Sequence, residues 1–494
     1  MDSGSYLFEF FGVACTMAVA VGQVRSLERR LIGRRRHNPS TPRDSRCVRM
    51  PARGRLPPTG LPGVEKAIMR KNGLASLIPL YFIILIDNLS VSLIIPVLIP
   101  ISYDAHIGIM RSAETSTRDL FYGLAIGSYS LAMFLGAPLL GSLSDHFRRK
   151  KTLTLCLLGL ALGYALTITA LVRRDVTLFV VGRVVGGLFS GSLPVAQAAI
   201  LDVTPKERRV NVIGLIMFCV STGYVVGPLI GGYLSDSSLV SWFSLRTPFV
   251  FVAGVTVLNL LILLLTYREE PAPRPAGRMA FPNPVKHLME SFTFPGVRVL
   301  CGALLLMSLG WTAFFQFIGL YLTANQGFDQ RAVTNLISVV GVGLAAAFLS
   351  LVPLSMKYLK PRIAVAGALA VMTVCIAGTA LTGSKAVLYV LCLVGAATYG
   401  ISYSGLVGMM SGAVDDSHQG SVMGTAGAIA AISAGASGVV FGAVSGSNSV
   451  PVFSAAAFAF LAFVLSAVAG RSAGGSAKEA QEENADDPDR TSAL

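Results

Sequence analysis

Charge is scarce in this chain of 494 residues, of which only 13% are Asp, Glu, Lys or Arg, against roughly 25% in a soluble domain. That balance excludes a soluble enzyme. Histidine and tryptophan are rare, at five and two. The seven cysteines (Cys15, Cys47, Cys156, Cys219, Cys301, Cys375, Cys392) lie scattered, without C-x-x-C or histidine spacing. Such a pattern gives no metal site and no disulfide framework. There is no G-x-x-x-x-G-K-[ST] loop to hold ATP, and no His, Ser or Cys constellation near a helix end with a matching acid or base. An enzyme, a metal protein and an ATP-driven pump are therefore all disfavoured.

What is present is apolar: 53% of residues are hydrophobic and 51 are glycine. Twelve helices of about 20 residues, each long enough for a ~30 Å hydrocarbon layer, would occupy about half of such a chain. The net charge of +14 does not mark a nucleic-acid binder, because residues 1–73 hold 14 Lys and Arg against 5 Asp and Glu and so carry +9 of it.

Apolar runs of spanning length fall at about 75–101, 119–141, 152–172, 176–201, 212–235 and 246–267, then at about 297–323, 333–356, 362–383, 386–412, 420–445 and 450–470. These are spans 1 to 12. The expected fold is an all-α integral membrane protein with twelve transmembrane helices in two six-helix bundles, 74–267 and 297–470. Between them, 268–296 contains a polar, proline-rich run from Arg268 to Arg278 and reads as a cytoplasmic linker. Residues 1–73 form a basic extension of disordered composition. Met69-Arg70-Lys71 would make a conventional cytoplasmic start, so the extension reads as an upstream mis-start, a tether or an amphipathic anchor. The acidic tail, 471–494, is expected to be disordered. Positive residues cluster at Arg148–Lys151, at Lys206, Arg208 and Arg209, in the linker, and at Lys357, Lys360 and Arg362. All these loops share one side, and cations favour the cytoplasm, which puts both termini inside a plasma or bacterial inner membrane.

After span 2 comes Gly141-Ser-Leu-Ser-Asp145-His-Phe-Arg-Arg149-Lys150-Lys. It resembles the loop 2–3 signature of the major facilitator superfamily, G-x-L-x-D-R-x-G-R-K, with His146 in place of Arg and Arg148 in place of Gly. Span 5 contains Gly223-Tyr-Val-Val-Gly227-Pro228-Leu-Ile-Gly231-Gly232, similar to the superfamily's antiporter motif. Four glycines at this spacing make a face without side chains, against which another helix can pack, and Pro228 removes one backbone bond. Span 4 has Arg183 within Gly182-Arg-Val-Val-Gly-Gly187, followed by Asp202 and Arg208, which resemble the embedded arginine and acid-to-arginine loop of the same family. An arginine at a helix centre costs roughly 2.5–3.5 kcal/mol on insertion scales unless it finds a partner or a cavity. Snorkelling to the nearer surface is its structural alternative.

Asp87 lies about 18 Å into span 1 by helical rise alone, in Leu85-Ile-Asp87-Asn88-Leu. The segment resembles span 1 of twelve-helix drug:proton antiporters, among them tetracycline exporters and, through the Asp-Asn pair, vesicular amine transporters. The second half resembles the family more weakly. Met356 replaces the signature acid, and Gln419-Gly-Ser-Val-Met-Gly424 begins span 11 without a later Gly-Pro pair.

The resemblance implies alternating access with a proton as the coupling ion and no other cofactor. Asp87 and Arg183 would couple the proton. Gly141, Asp145, Arg149, Lys150, Asp202 and Arg208 would form a conformational latch on the cytoplasmic side, with Asp145 facing the start of span 11. Independently of the resemblance, residues amphipathic enough to line a pocket are Tyr129, the i,i+4 pair Trp311 and Phe315 beside Gln316, and the i,i+4 pair Tyr399 and Tyr403. Aromatic faces with one carboxylate suit an amphipathic or cationic organic molecule. The expected protein is a monomeric exporter in contact with lipid and a small organic substrate. A symporter or facilitator importing a metabolite or siderophore is the alternative, and a non-transporting receptor is a third.

Overall fold

Backbone groups in hydrocarbon have no water to bond, so a long apolar run satisfies them internally as a helix. In the computed structural model the chain does so at every expected span. Residues 77–485 are described, apart from 111–112, 205–208, 268, 270–283, 293–296, 415–418 and 445–448. The extension 1–73 and Arg208 therefore lie outside the described residues.

The helices are α1 (Ile78–Tyr103), α2 (Thr115–His146), α3 (Arg149–Arg173), α4 (Val176–Leu188), α5 (Ser192–Asp202), α6 (Arg209–Leu234) and α7 (Thr247–Thr266) in the first half. The second half has α8 (Pro284–Ser291), α9 (Arg298–Gln326), α10 (Gln330–Ala346), α11 (Val352–Tyr358), α12 (Pro361–Leu381), α13 (Lys385–Gly412), α14 (Gln419–Val444) and α15 (Val450–Ala485). Twelve spans among the described residues are long and apolar enough to cross a membrane.

Four features depart from the sequence expectation. Span 4 is not one helix: α4 stops at Leu188 and α5 restarts at Ser192. The segment around the gap, Gly186-Gly-Leu-Phe-Ser-Gly191, is rich in residues with low helix propensity. Span 8 is likewise jointed, by a π-turn at Ala347–Leu351 ahead of Pro353. The tail is not irregular from 471, since α15 runs on to Ala485. The Ala, Lys, Glu and Gln residues of 477–483 are strong helix formers, which the polar composition concealed. The linker also contains a short helix, α8.

Spans 1 and 5 pack closely, as do spans 2 and 11, 5 and 8, and 7 and 12. The 2–11 and 5–8 contacts join the two bundles. Both lie toward the end opposite the basic loops, called the far end. There Gly123 and Gly127 of span 2 meet Gly435, Gly438 and Gly442 of span 11 almost backbone to backbone, and Gly232 of span 5 abuts Thr334 of span 8. Toward the basic end, side chains added at Gly141, Gly214, Gly408, Gly412, Gly424 or Gly427 would meet nothing within 4 Å. The bundles are in close contact at the far end.

Candidate substrate and proton site

Asp87 sits about 14 Å along α1 by rise and is 4% exposed. It points at the gap in span 4. The Ser192 hydroxyl, in the first turn of α5, donates to Asp87 Oδ2 at 2.7 Å, and the Leu193 N–H also faces the carboxylate. A helix N-terminus favours an anion, and broken membrane helices present such termini to buried ions. The broken span 4 thus supplies the acid with a polar partner inside an apolar span. Neighbouring residues of span 1 satisfy themselves locally: Asn88 Nδ2 donates to the Ile84 carbonyl at 2.8 Å and Ser90 Oγ to that of Ile86 at 2.6 Å.

Arg183, 6% exposed, does not snorkel. Its Nε donates to the Ala125 carbonyl at 2.9 Å, and its guanidinium carbon lies 4.3 Å from the centre of the Tyr129 ring. A cation over an aromatic face is stabilised by the ring quadrupole. The Tyr129 hydroxyl donates to Ser190 Oγ at 2.9 Å, inside the span 4 gap. Asp87, Tyr129 and Arg183 therefore share one polar centre in the first bundle.

The remaining pocket candidates gather in the second bundle. Trp311 stacks on Tyr399 with ring centres 4.4 Å apart, and Phe315 and Tyr403 extend the aromatic set. Sequence reasoning missed Tyr224, whose ring packs edge-on against Phe315 at 6.1 Å. It lies inside the span 5 glycine motif and reaches across from the first bundle. Gln316 is used in packing, since its Nε2 donates to the Ala434 carbonyl at 3.0 Å, while its backbone carbonyl accepts from the Tyr122 hydroxyl at 2.6 Å.

The span 5 motif packs on span 1 beside the acid. A side chain added at Gly223 would stand 2.8 Å from both Asn88 Cβ and the Leu89 nitrogen. Ser92 Oγ donates to the Gly223 carbonyl at 3.0 Å. Gly227 and Gly231 continue the contact along Leu89 and Leu93.

At the basic end, Arg149 bonds Asp145 at 2.7 Å and Asp202 at 3.1 Å. All three belong to the first bundle. Asp145 is exposed and pairs with Arg149 four residues further on. A residue unforeseen in the sequence completes the group. Glu269, at the start of the linker, accepts from the backbone N–H groups of Arg149 at 2.6 Å and Lys150 at 3.1 Å, capping α3. Lys150 returns the favour to the end of α7, donating to the carbonyls of Leu264 at 2.9 Å and Tyr267 at 2.6 Å. Each charge thus offsets unsatisfied groups at the other helix's end. Burial pushes the Tyr267 hydroxyl up to about 12, with the Glu269 and Asp202 carboxylates adding to the shift.

Two helical bundles of apolar spans that meet at the far end, with a buried acid and arginine inside one of them, define a membrane carrier. The sequence matches the Major Facilitator Superfamily over residues 80–443, and the chain belongs to that family of transporters. It is 34% identical over 187 residues to the class E tetracycline resistance protein of Escherichia coli, a match covering 38% of this chain and 42% of that one. The chain thus spans less than half of that relative. With the class C protein of E. coli the identity is 30% over 362 residues, covering 70% of this chain and 84% of the relative. Among solved structures, a D-xylose–proton symporter superposes with a TM-score of 0.64 at 14% identity, over 79% of this chain and 96% of that one. That likeness concerns the fold alone.

Proposed function

We propose that the chain is a proton-coupled antiporter that exports a small amphipathic or cationic organic compound by alternating access. The observation that carries this reading is Asp87, a buried acid held at the N-terminus of a broken helix, in the bundle that also buries Arg183 against Tyr129. An ionised carboxylate in this position is expensive to bury and favours a partner. A proton arriving on Asp87 removes the need for that partner, and loss of the proton restores it. A cationic substrate satisfies the same charge, so proton and substrate compete for one site.

The aromatic set of Trp311, Phe315, Tyr399, Tyr403 and Tyr224 offers flat faces to the apolar part of such a molecule. The tetracycline resistance relatives are named for resistance to an organic compound, which supports this reading. The basic loops are placed in the cytoplasm, with both termini, so the close contact at the far end lies on the outer side. Arg149 and its partners then stiffen the first bundle and present Asp145 to span 11 when the inner side closes.

The test is counterflow in proteoliposomes with tetracycline and tetraphenylphosphonium as probes. An inward-acid pH gradient across inside-out vesicles should drive uptake of a probe against its own gradient, and an uncoupler should abolish it. Movement of probe and proton in the same direction would replace export with import. In Asp87→Asn the gradient-driven uptake should vanish; uptake that persists and still collapses with the uncoupler would assign the proton to another group.

A further inference from the structure

Arg149 at the basic end pairs with Asp145 and Asp202 of its own bundle, whereas an ion pair at the far end joins the two bundles. Arg331, in the first turn of span 8, bonds Asp236 Oδ2 at 2.7 Å in the loop after span 5, and also reaches Ser238. Gln330 Nε2 donates to Ser235 Oγ at 2.6 Å, and the Tyr233 hydroxyl donates to Asn335 Oδ1 at 3.2 Å. One helical turn further in, Thr334 fills the place where Gly232 lacks a side chain. Every one of these contacts joins the first bundle to the second. The other seam, between spans 2 and 11, is closed differently, by glycine faces in near-backbone contact.

We propose that Asp236 and Arg331 are the latch of the far end. Their ion pair holds spans 5 and 8 together in this conformation and breaks each time the far end opens. The inference rests on the transporter reading above, but it names a different site from the Asp87 centre. A rigid-body rotation that opens the far end must separate both seams. Glycine contact is short-ranged and lapses within an ångström or two, whereas a charge pair still attracts at several ångströms. The 5–8 seam therefore governs how far apart the bundles rest. Span 5 also packs along span 1 through Gly223, Gly227 and Gly231, so the helix that carries the latch is the one clamped to the helix that carries Asp87.

The experiment measures distances by pulsed electron spin resonance in nanodiscs, with labels on Leu239→Cys after span 5 and Ala324→Cys near the end of span 7. No substrate is required. In the otherwise unaltered protein the short distance should dominate. Asp236→Asn and Arg331→Gln should each raise the long-distance population roughly 1.5- to fivefold, the range for loss of one partly exposed ion pair. The exchanged pair Asp236→Arg with Arg331→Asp should bring it back toward the starting value. Unchanged distances in both single variants would overturn the latch. So would an exchanged pair as open as either single variant, because then the residues act separately. Shifted distances in a protein that never exchanges probe for protons would refute the function proposed above while leaving the latch standing; the reverse result would refute the latch alone.

Discussion

Replacing Gly227 by alanine should loosen the first bundle, and the same change at Gly214 on the same helix should not. Alanine gains about 1 kcal/mol over glycine within a helix, a benefit common to both variants that cancels in their difference. At Gly227 the new methyl would collide with Ser92 Oγ and lie 2.6 Å from the Leu89 carbonyl oxygen. Ser92 can turn away; a backbone carbonyl within α1 cannot. Overpacking of this kind costs roughly 1–3 kcal/mol. At Gly214 the methyl meets nothing within 4 Å. For a bundle of this size a kilocalorie per mole corresponds to roughly 2–4 °C of Tm, so Gly227→Ala should melt roughly 2–12 °C below Gly214→Ala in the same detergent, read by differential scanning fluorimetry with a thiol dye. Equal melting temperatures would show that spans 1 and 5 do not approach as closely as the glycine face requires.

Other outcomes follow from the same geometry. Arg183→Lys keeps the charge but loses the directed bond to Ala125, so probe transport should fall at least tenfold while the melting temperature shifts by only a few degrees, checked by counterflow and fluorimetry together. Trp311→Ala should weaken tetraphenylphosphonium binding by roughly 5- to 30-fold, whereas Trp311→Phe should lose less, as measured by calorimetry. Glu269→Gln should destabilise the basic end by about 1 kcal/mol, seen as faster backbone hydrogen exchange in the first turn of α3. Burial raises the affinity of the Asp236 carboxyl for its proton, but hydrogen bonds from Ser238 and Arg331 and the charge of Arg331 outweigh it and hold the group below the ordinary carboxylate range. Because the pKa is depressed in the closed state, the latch is at full strength above the usual value near ~4 and weakens as pH falls through the depressed one. Far-end distances should accordingly be constant between pH 5 and 8 as far as this pair is concerned, and lengthen below about pH 4.

The spans were readable because each is a long uninterrupted apolar run, and the cost of an unpaired backbone in hydrocarbon leaves a helix as its outcome. The glycine motif of span 5 was readable too, since its spacing states that something must approach closely; only the structure identifies span 1 as the neighbour. Asp87 and Arg183 stood out because charge is costly at that depth. Four elements did not stand out. The gap in span 4 leaves its apolar run unbroken, and its local marks, Gly191 and Pro194 in the first turn of α5, sit in a span that reads as one helix. Glu269 looks like any linker acid until folding brings it beneath α3. Tyr224 hides inside a motif whose glycines drew attention away from it. Asp236 and Arg331 are separated by 95 positions, and nothing local connects them. For the last three the missing information was tertiary pairing, and the division of the pocket candidates between an Asp87 centre and a Trp311–Tyr399 stack has the same origin.

The central claim, that Asp87 exchanges its proton for substrate, is tested most directly by adding tetraphenylphosphonium to purified protein in weakly buffered detergent and recording the pH. Binding should release up to one proton per protein, and Asp87→Asn should bind the cation more weakly and release none. Proton release from Asp87→Asn equal to that of the unaltered protein would contradict the account.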